Sequence, residues 1–208
     1  MGCRDKFTPH KFILNFGDDL ELLKQRILQS GHISSDNVLK VDSFLNHQLD
    51  IALLSEIGKE FYRIFADNNI TKILTIEASG IAIASMAGMY FNVPVVFAKK
   101  NQSKNIDGDV YASSVQSFTH GRKYDIMVSK KFLSHDDRIL ILDDFLARGN
   151  AMLGLIDIVE QSGANLCGAG IVIEKGFQDG ANLLKEKNVN LHSLAIIESM
   201  EDGKLTFG

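Results

Sequence analysis

The fold class follows from one segment, Arg138-Ile-Leu-Ile-Leu-Asp-Asp-Phe-Leu-Ala-Arg-Gly-Asn-Ala151. Its apolar residues 139–142 predict a buried strand, and the small and polar residues 147–151 predict a loop that opens a helix. Asp143 and Asp144 would leave the strand at the edge where ligands bind in a parallel α/β sheet. Paired carboxylates can accept hydrogen bonds from vicinal sugar hydroxyls, while loop N–H groups and the helix N-terminus can hold a phosphate. The alternative is that both aspartates only cap the helix, although two carboxylates exceed what one cap needs.

Short apolar runs alternate with helical patterns on both sides of this segment. The predicted strands are residues 72–76, 94–98, 138–142, 166–174 and 191–197, and the predicted helices are residues 50–68, 81–90, 151–162 and 181–187. This alternation favours a largely parallel α/β sheet with helices on both faces. Residues 99–131 break the pattern and predict a mobile loop followed by an antiparallel ribbon.

The chain is expected to form one domain, because 208 residues with 45% hydrophobic side chains can bury a single sizeable core. Residues 1–19 have no convincing period and are interpreted as an N-terminal appendage. An amphipathic helix begins near Leu20 and ends at Gly31, so residues 20–208 are assigned to the domain.

Charge and composition argue against several classes of partner. The chain has 22 Lys plus Arg against 26 Asp plus Glu, a net charge of −4, which does not suggest a nucleic-acid-binding protein. It has no apolar run near the roughly 18 residues that span a bilayer, so a soluble, cytoplasmic protein without a membrane partner is expected. Cys3 and Cys167 are too far apart in sequence to indicate a disulfide framework or a zinc site, and the histidines lack metal-ligand spacing.

The segment 138–151 resembles the motif with which type I phosphoribosyltransferases bind phosphoribosyl diphosphate (PRPP). The common loop of that family is Thr-Gly-Gly-Thr, whereas this chain has Ala-Arg-Gly-Asn at 147–150 and so lacks a hydroxyl donor to the 5′-phosphate. That departure is similar to the loop of the xanthine-specific branch, Ala-Asn-Gly-Gln-Ala. The resemblance extends over roughly residues 20–207, through segments 38–48, 70–82, 93–98 and 170–175.

This resemblance implies the type I phosphoribosyltransferase fold, a largely parallel sheet with flanking helices and a small hood. It also implies a site. The residues expected in catalysis are Asp143, Asp144 and Lys99; those expected to bind PRPP are Ala147, Arg148, Gly149, Asn150, Ala151, Glu77, Ala78, Ser79 and Gly80; and those expected to bind the base are Leu39, Asn46, Lys175 and Phe177.

Each of these segments also has a plainer interpretation. Glu77 to Gly80 form a strand-to-helix turn in which a glycine permits close backbone approach to a pyrophosphate, but most such turns are structural. Lys99 and its neighbour Lys100 would otherwise be a solvated loop start, and Lys175 a surface lysine. Phe177 would stack on the base or pack in the core, and stacking is favoured.

The activity implied is purine salvage, in which xanthine and PRPP form a nucleotide and pyrophosphate with Mg2+ bound alongside PRPP, in a homodimer. Lys175 is expected to contact the 6-oxo group that all oxopurines share, and Asn46 the 2-position, both away from the phosphate loop. Guanine or hypoxanthine remain alternative substrates. A PRPP-sensing transcription regulator is less favoured because 19 residues are too few for a DNA-binding domain, and orotate salvage because the hood segment matches the purine enzymes.

Overall fold

A central six-stranded sheet organises the protein. The computed structural model describes residues 20–34, 38–100, 108–116, 123–201 and 204–208. The sheet has the order β10-β9-β8-β7-β3-β4, parallel throughout except for β10, which pairs antiparallel with β9. Its strands are β3 (Lys72–Ile76), β4 (Val95–Ala98), β7 (Arg138–Leu146), β8 (Asn165–Lys175), β9 (Leu191–Glu201) and β10 (Lys204–Phe207). The predicted parallel α/β sheet is confirmed.

Helices and a hairpin cover both faces of the sheet. The helices are α1 (Glu21–Ser30), α2 (Ile51–Phe65), α3 (Ser79–Phe91), α4 (Asn150–Ser162) and α5 (Gly180–Glu186), and the hairpin pairs β5 (Val110–Gln116) with β6 (Lys123–Ser129). One apolar core joins α1, α2 and α3 to one face of the sheet, and a second joins α4 and the hairpin to the other. Alternate residues of a strand enter opposite cores, as Leu140 and Ile141 of β7 do.

α2 illustrates how the sequence specifies these layers. Its apolar residues recur along one face and are buried, whereas Asp50 accepts a hydrogen bond from the Leu53 N–H at 3.1 Å and caps the helix start. Gly58 lies so close to α3 that a Cβ would come within 2.7 Å of the Met86 carbonyl carbon. The two helices therefore form one tightly packed layer.

The N-terminal part of the described chain forms a small substructure beside the sheet. Two short strands, β1 (His32–Ile33) and β2 (Leu39–Lys40), pair antiparallel, and a π-helical turn follows at Asp42–Asn46. This segment corresponds to the expected hood. The predicted appendage, residues 1–19, lies outside the described residues.

Two boundaries differ from the sequence prediction in ways that affect the site. β7 runs to Leu146 rather than ending at Leu142, because residues 143–146 continue to pair with β8. Asp143 and Asp144 are thus strand residues and not loop residues. α3 begins at Ser79 rather than at Ile81, so Gly80 belongs to a helical first turn.

The edge strand β10 was not predicted, and its pairing with β9 adds an antiparallel edge to the parallel sheet. Among the described residues, no helix combines the length and apolarity needed to cross a membrane.

Candidate active site

The carboxyl ends of β3, β4, β7 and β8 meet at one edge of the sheet, and the predicted site residues follow these ends. α3 follows β3, and α4 follows β7. Both helices have 13 residues, and neither has a side-chain cap from the residue that precedes it, Ala78 or Gly149. The free N–H groups of two helix N-termini therefore stand at neighbouring strand ends, where each favours an anion.

Two buried carboxylates lie between these helix N-termini. Asp143 is 6% exposed and Asp144 is 9% exposed. Each carboxylate oxygen Oδ1 accepts a hydrogen bond at 3.0 Å from the next backbone N–H, that of Asp144 or Phe145. Burial, and then the neighbouring charge of Asp144, raise the pKa of the Asp143 carboxyl well above its ordinary value. Neither aspartate caps α4, which begins at Asn150 after Gly149, so the capping alternative is wrong.

The Glu77 to Gly80 turn lies directly against Asp143. A Cβ on Gly80 would come within 3.1 Å of Asp143 Oδ1 and would overlap the hydroxyl of Thr75. Only glycine lets the start of α3 approach β7 this closely. The Thr75 hydroxyl beneath it is buried and has no hydrogen-bond partner among the described residues.

Glu77 connects this turn to the segment after β4. Its N–H donates to the Ala98 carbonyl at 3.0 Å, and its Oε1 accepts from the Lys100 N–H at 2.6 Å. The peptide bond between Glu77 and Ala78 is cis. Glu77 thus orients the chain that enters residues 101–107, which lie outside the described residues.

That segment begins with Lys99 and Lys100, whose backbone is held in place by hydrogen bonds. The backbone of Lys99 exchanges two 3.0 Å hydrogen bonds with Met127 of β6. Lys100 Nζ stands 5.8 Å from the centre of the Tyr124 ring. Burial, and then the nearby charge of Asp143, raise the pKa of the Tyr124 phenol, so the ring is within electrostatic reach of the Asp143 carboxylate.

Residues 147–151, which are predicted to bind the 5′-phosphate and are called the phosphate loop, contact the start of α5. Gly149 has a φ of +79°, a conformation that suits glycine. Gly180 donates its N–H to the Ala147 carbonyl at 3.1 Å, and a Cβ on it would lie 3.0 Å from the Gly149 nitrogen. Arg148, by contrast, is exposed. Ala147, Gly149 and the first residues of α4 therefore form a loop whose shape depends on a second glycine.

The predicted base residues lie in different surroundings. Asn46 Nδ2 donates to Asp144 Oδ2 at 3.3 Å, across 98 residues of chain. It therefore contacts a carboxylate expected to bind ribose, and its role toward the base stays a prediction. Lys175 Nζ stands 5.9 Å from the Phe145 ring centre, and burial lowers the pKa of its ammonium.

The other two residues predicted to bind the base, Leu39 and Phe177, differ in their exposure to solvent. Leu39 is 4% exposed and packs in the core, so its contact with a base stays a prediction. Phe177 is 45% exposed, which excludes core packing. Stacking of Phe177 on a base stays a prediction.

Sequence reasoning missed Tyr124 and Gly180. Tyr124 alternates with apolar residues in a ribbon and looks like ordinary strand packing. Gly180 stands at a helix start, where glycine is unremarkable. Only tertiary contact reveals either residue as part of the site.

Paired carboxylates between two helix N-termini are suited to a sugar that carries a phosphate group at each end. A family model for the phosphoribosyl transferase domain matches residues 40–193. The chain belongs to the phosphoribosyltransferase family.

Proteins with similar sequences support this family assignment. The chain is 63% identical to xanthine phosphoribosyltransferase of Ruminiclostridium cellulolyticum over 90% of this chain and 99% of the relative. It is 56% identical to xanthine phosphoribosyltransferase of Clostridioides difficile over 90% of this chain and 100% of the relative.

Solved structures support the fold. Adenine phosphoribosyltransferase of Giardia lamblia, in complex with 9-deazaadenine, has a TM-score of 0.72 at 22% identity and covers 85% of this chain and 98% of its own. The enzyme of Rhodothermus marinus has a TM-score of 0.69 at 22% identity, covering 85% and 99%. The expected type I phosphoribosyltransferase fold is confirmed.

Proposed function

We propose that the protein transfers the phosphoribosyl group of PRPP to xanthine, forming xanthosine 5′-monophosphate and pyrophosphate in purine salvage. One observation carries the proposal, the buried pair Asp143 and Asp144 between the N-termini of α3 and α4. PRPP has the matching pattern of a ribose between a pyrophosphate and a 5′-phosphate. The choice of xanthine rests on the names of the relatives that are 56–63% identical.

PRPP would lie along the carboxyl edge of the sheet. The phosphate loop and the first turn of α4 would hold the 5′-phosphate through backbone N–H groups. Asp143 and Asp144 would accept hydrogen bonds from the ribose hydroxyls, and the turn of Glu77 to Gly80 would hold the pyrophosphate. Gly80 supports this arrangement, because its approach to Asp143 brings the pyrophosphate turn and the ribose site into contact.

The reaction is a displacement at the anomeric carbon of ribose. N9 of the base forms the new bond, the bond to the pyrophosphate oxygen breaks, and the base gives up its N9 proton. Positive charge develops on the ribose ring, next to the two carboxylates. Lys99 and Lys100 lie at the start of the segment beside the pyrophosphate turn, where a cation would stabilise the charge on the leaving group. Positioning and exclusion of water account for the rest of catalysis.

The residues present fit a Mg2+ ion that arrives with PRPP. Mg2+ takes one or two protein carboxylates and fills its other positions with water and substrate phosphate. Asp143 and Asp144 supply such carboxylates, whereas the described residues contain no group of three or more His, Cys, Asp or Glu that could hold a metal alone. Bound there, the ion would neutralise charge on the pyrophosphate.

Two side chains would contact the base, one at its 6-oxo group and the other at its 2-position. The Lys175 ammonium at the end of β8, which lies 5.9 Å from the centre of the Phe145 ring, would donate to the 6-oxo group. The Asn46 amide would serve the 2-position, with Leu39 beside it and Phe177 stacked on the ring. Because Asn46 contacts Asp144 in the free protein, it would join the base pocket to the ribose site.

The test is product formation by the intact chain. With PRPP, Mg2+ and xanthine, anion-exchange chromatography should detect equal amounts of xanthosine 5′-monophosphate and pyrophosphate, and neither should form in excess chelator. Asp144→Asn loses a charge-assisted hydrogen bond worth about 1.5–3 kcal/mol, a ten- to hundredfold loss in kcat/KM. A folded Asp144→Asn protein with unchanged turnover would refute the ribose assignment, and full activity in chelator would refute the role of the cation.

We also infer a cytoplasmic homodimer. Helices α2 and α3 and the edge strand β4 expose apolar side chains, among them Tyr62, Met89 and Phe97, which a second copy of the chain would cover. Cys167 is a free thiol, as is usual in a reducing compartment.

A further inference from the structure

The side chain of Asn150 forms a hydrogen bond with the β5–β6 hairpin. Asn150 is the first residue of α4, in the phosphate loop, and its Nδ2 donates to the carbonyl of Gln116 at 3.0 Å. Gln116 is the last residue of β5. The amide at a position expected to contact the 5′-phosphate therefore holds a neighbouring element of the fold.

A second amide fastens the same hairpin at the other end of α4. Gln161 donates from Nε2 to the Ala112 carbonyl at 2.8 Å, and its Oε1 accepts from the Ala112 N–H at 3.3 Å. The span from Ala112 to Gln116 is about 13 Å of strand. The span from Asn150 to Gln161 is about 16 Å of helix. The two lengths are similar, so β5 runs along α4 in the opposite direction with one amide at each end.

Between the two amides the helix and the strand pack closely. A Cβ on Gly154 would come within 2.6 Å of Val115 Cγ2. Glycine at this position of α4 therefore lets β5 pack closely against the helix. Val115 stands opposite Tyr124 in the hairpin register, and Gln116 stands opposite Lys123. The end of the hairpin that Asn150 holds is therefore the end that carries Tyr124.

The hairpin in turn sets the start of the segment that follows β4. Met127 pairs with Lys99, and the Tyr124 ring faces Lys100 at 5.8 Å. A shift of the hairpin on α4 would move both contacts relative to Asp143.

We propose that Asn150 is a positioning residue that clamps the β5–β6 hairpin to the phosphate loop, and that backbone N–H groups rather than the Asn150 side chain hold the 5′-phosphate. The inference rests on the proposed function and deepens it. It also explains why the phosphate loop works without a hydroxyl at this position, because the uncapped first turn of α4 provides the anion site.

The test compares Asn150→Ala and Asn150→Thr with Gln161→Ala, which removes the other clamp far from the phosphate. All three variants should speed amide exchange in residues 110–116 and 123–129 by roughly two- to tenfold, the effect of one lost hydrogen bond. All three should lower kcat while the KM for PRPP stays within about twofold of wild type. Threonine should fail to rescue because its hydroxyl is too short to reach the Gln116 carbonyl.

Two results would overturn the clamp. One is a tenfold or larger rise in the KM or Kd for PRPP in Asn150→Ala with unchanged exchange in the hairpin. The other is wild-type PRPP affinity and turnover in Asn150→Thr. If the wild-type chain formed no nucleotide, the proposed function would fail, while amide exchange and PRPP titration would still decide whether Asn150 clamps the hairpin.

Discussion

At Asp143, the proposed binding of ribose opposes the stability of the folded chain. Its carboxyl is buried beside a second carboxylate, and both effects raise its pKa. A carboxylate kept in such a place destabilises the folded chain at neutral pH, because removing it from water costs free energy that its hydrogen bond only partly returns. A ribose hydroxyl or a cation would supply the missing partner when substrate binds.

A pH-dependent stability follows from this raised pKa. Between the unfolded and the folded pKa of Asp143, the folded state binds more protons than the unfolded state, so the free energy of unfolding falls as pH rises. Asp143→Asn removes this dependence and should raise Tm at pH 7 to 8 while it lowers activity.

Thermal unfolding of both proteins from pH 4 to 8 checks this prediction. The difference in Tm should shrink as pH falls toward the ordinary pKa of an aspartate. A variant that is less stable than wild type at every pH would show that Asp143 is satisfied as a carboxylate in the free protein.

The contacts of single residues were the part of the site that the sequence predicted least well. Asp143, Asp144 and Gly80 could be placed because a strand, a carboxylate pair and a glycine turn have local signatures. The bond from Asn46 to Asp144 joins residues 98 positions apart, and no local pattern encodes it. The same holds for the buried hydroxyl of Thr75, whose position depends on the packing of α3 on the sheet.

At the scale of elements, turns rather than strands determine the shape of the phosphate loop. Helix α5 approaches the loop at its first residue, Gly180, just after the turn from β8, and a Cβ there would come within 2.5 Å of the Ala147 carbonyl oxygen. Since the atoms it would meet are backbone, a larger residue must displace the loop itself.

Gly180→Ala should therefore raise the KM for PRPP by about tenfold, or about 1.4 kcal/mol, with a smaller effect on the KM for the base. Ala181→Gly is the matched control, because it weakens the same helix without crowding the loop. Steady-state kinetics of the two variants separate these effects. Equal KM values for PRPP in both variants would mean that the loop tolerates the added methyl group.

The boundaries of helices and strands could be predicted only where a local feature, such as a capping side chain or a glycine, marks the start or the end. Asp50 caps α2 as predicted, and Gly163, with a φ of +72°, ends α4. β7 extends past Leu142 because it pairs with β8, and this pairing overrides the polarity of Asp143 and Asp144. The edge strand β10 forms only because β9 offers it a partner.

At the scale of the whole molecule, the sheet gathers distant segments at one edge. Parallel strands separated by helices have their carboxyl ends on the same side, so the segments after β3, β4, β7 and β8 meet although they span residues 77–180. The alternation of apolar runs and helical patterns was therefore enough to predict the sheet edge at which the candidate site residues gather. The positions of the hood and the hairpin depend on tertiary packing and could not be predicted in this detail.

We propose that this edge of the sheet transfers phosphoribose to xanthine in preference to other purines. The most direct measurement places equimolar xanthine, guanine and hypoxanthine in one reaction with limiting PRPP and Mg2+, since early product ratios then equal the ratios of kcat/KM. Xanthosine 5′-monophosphate should predominate among the products. Predominance of the guanine or hypoxanthine nucleotide would contradict the choice of xanthine as the preferred substrate. The absence of any nucleotide would contradict the proposed transferase activity.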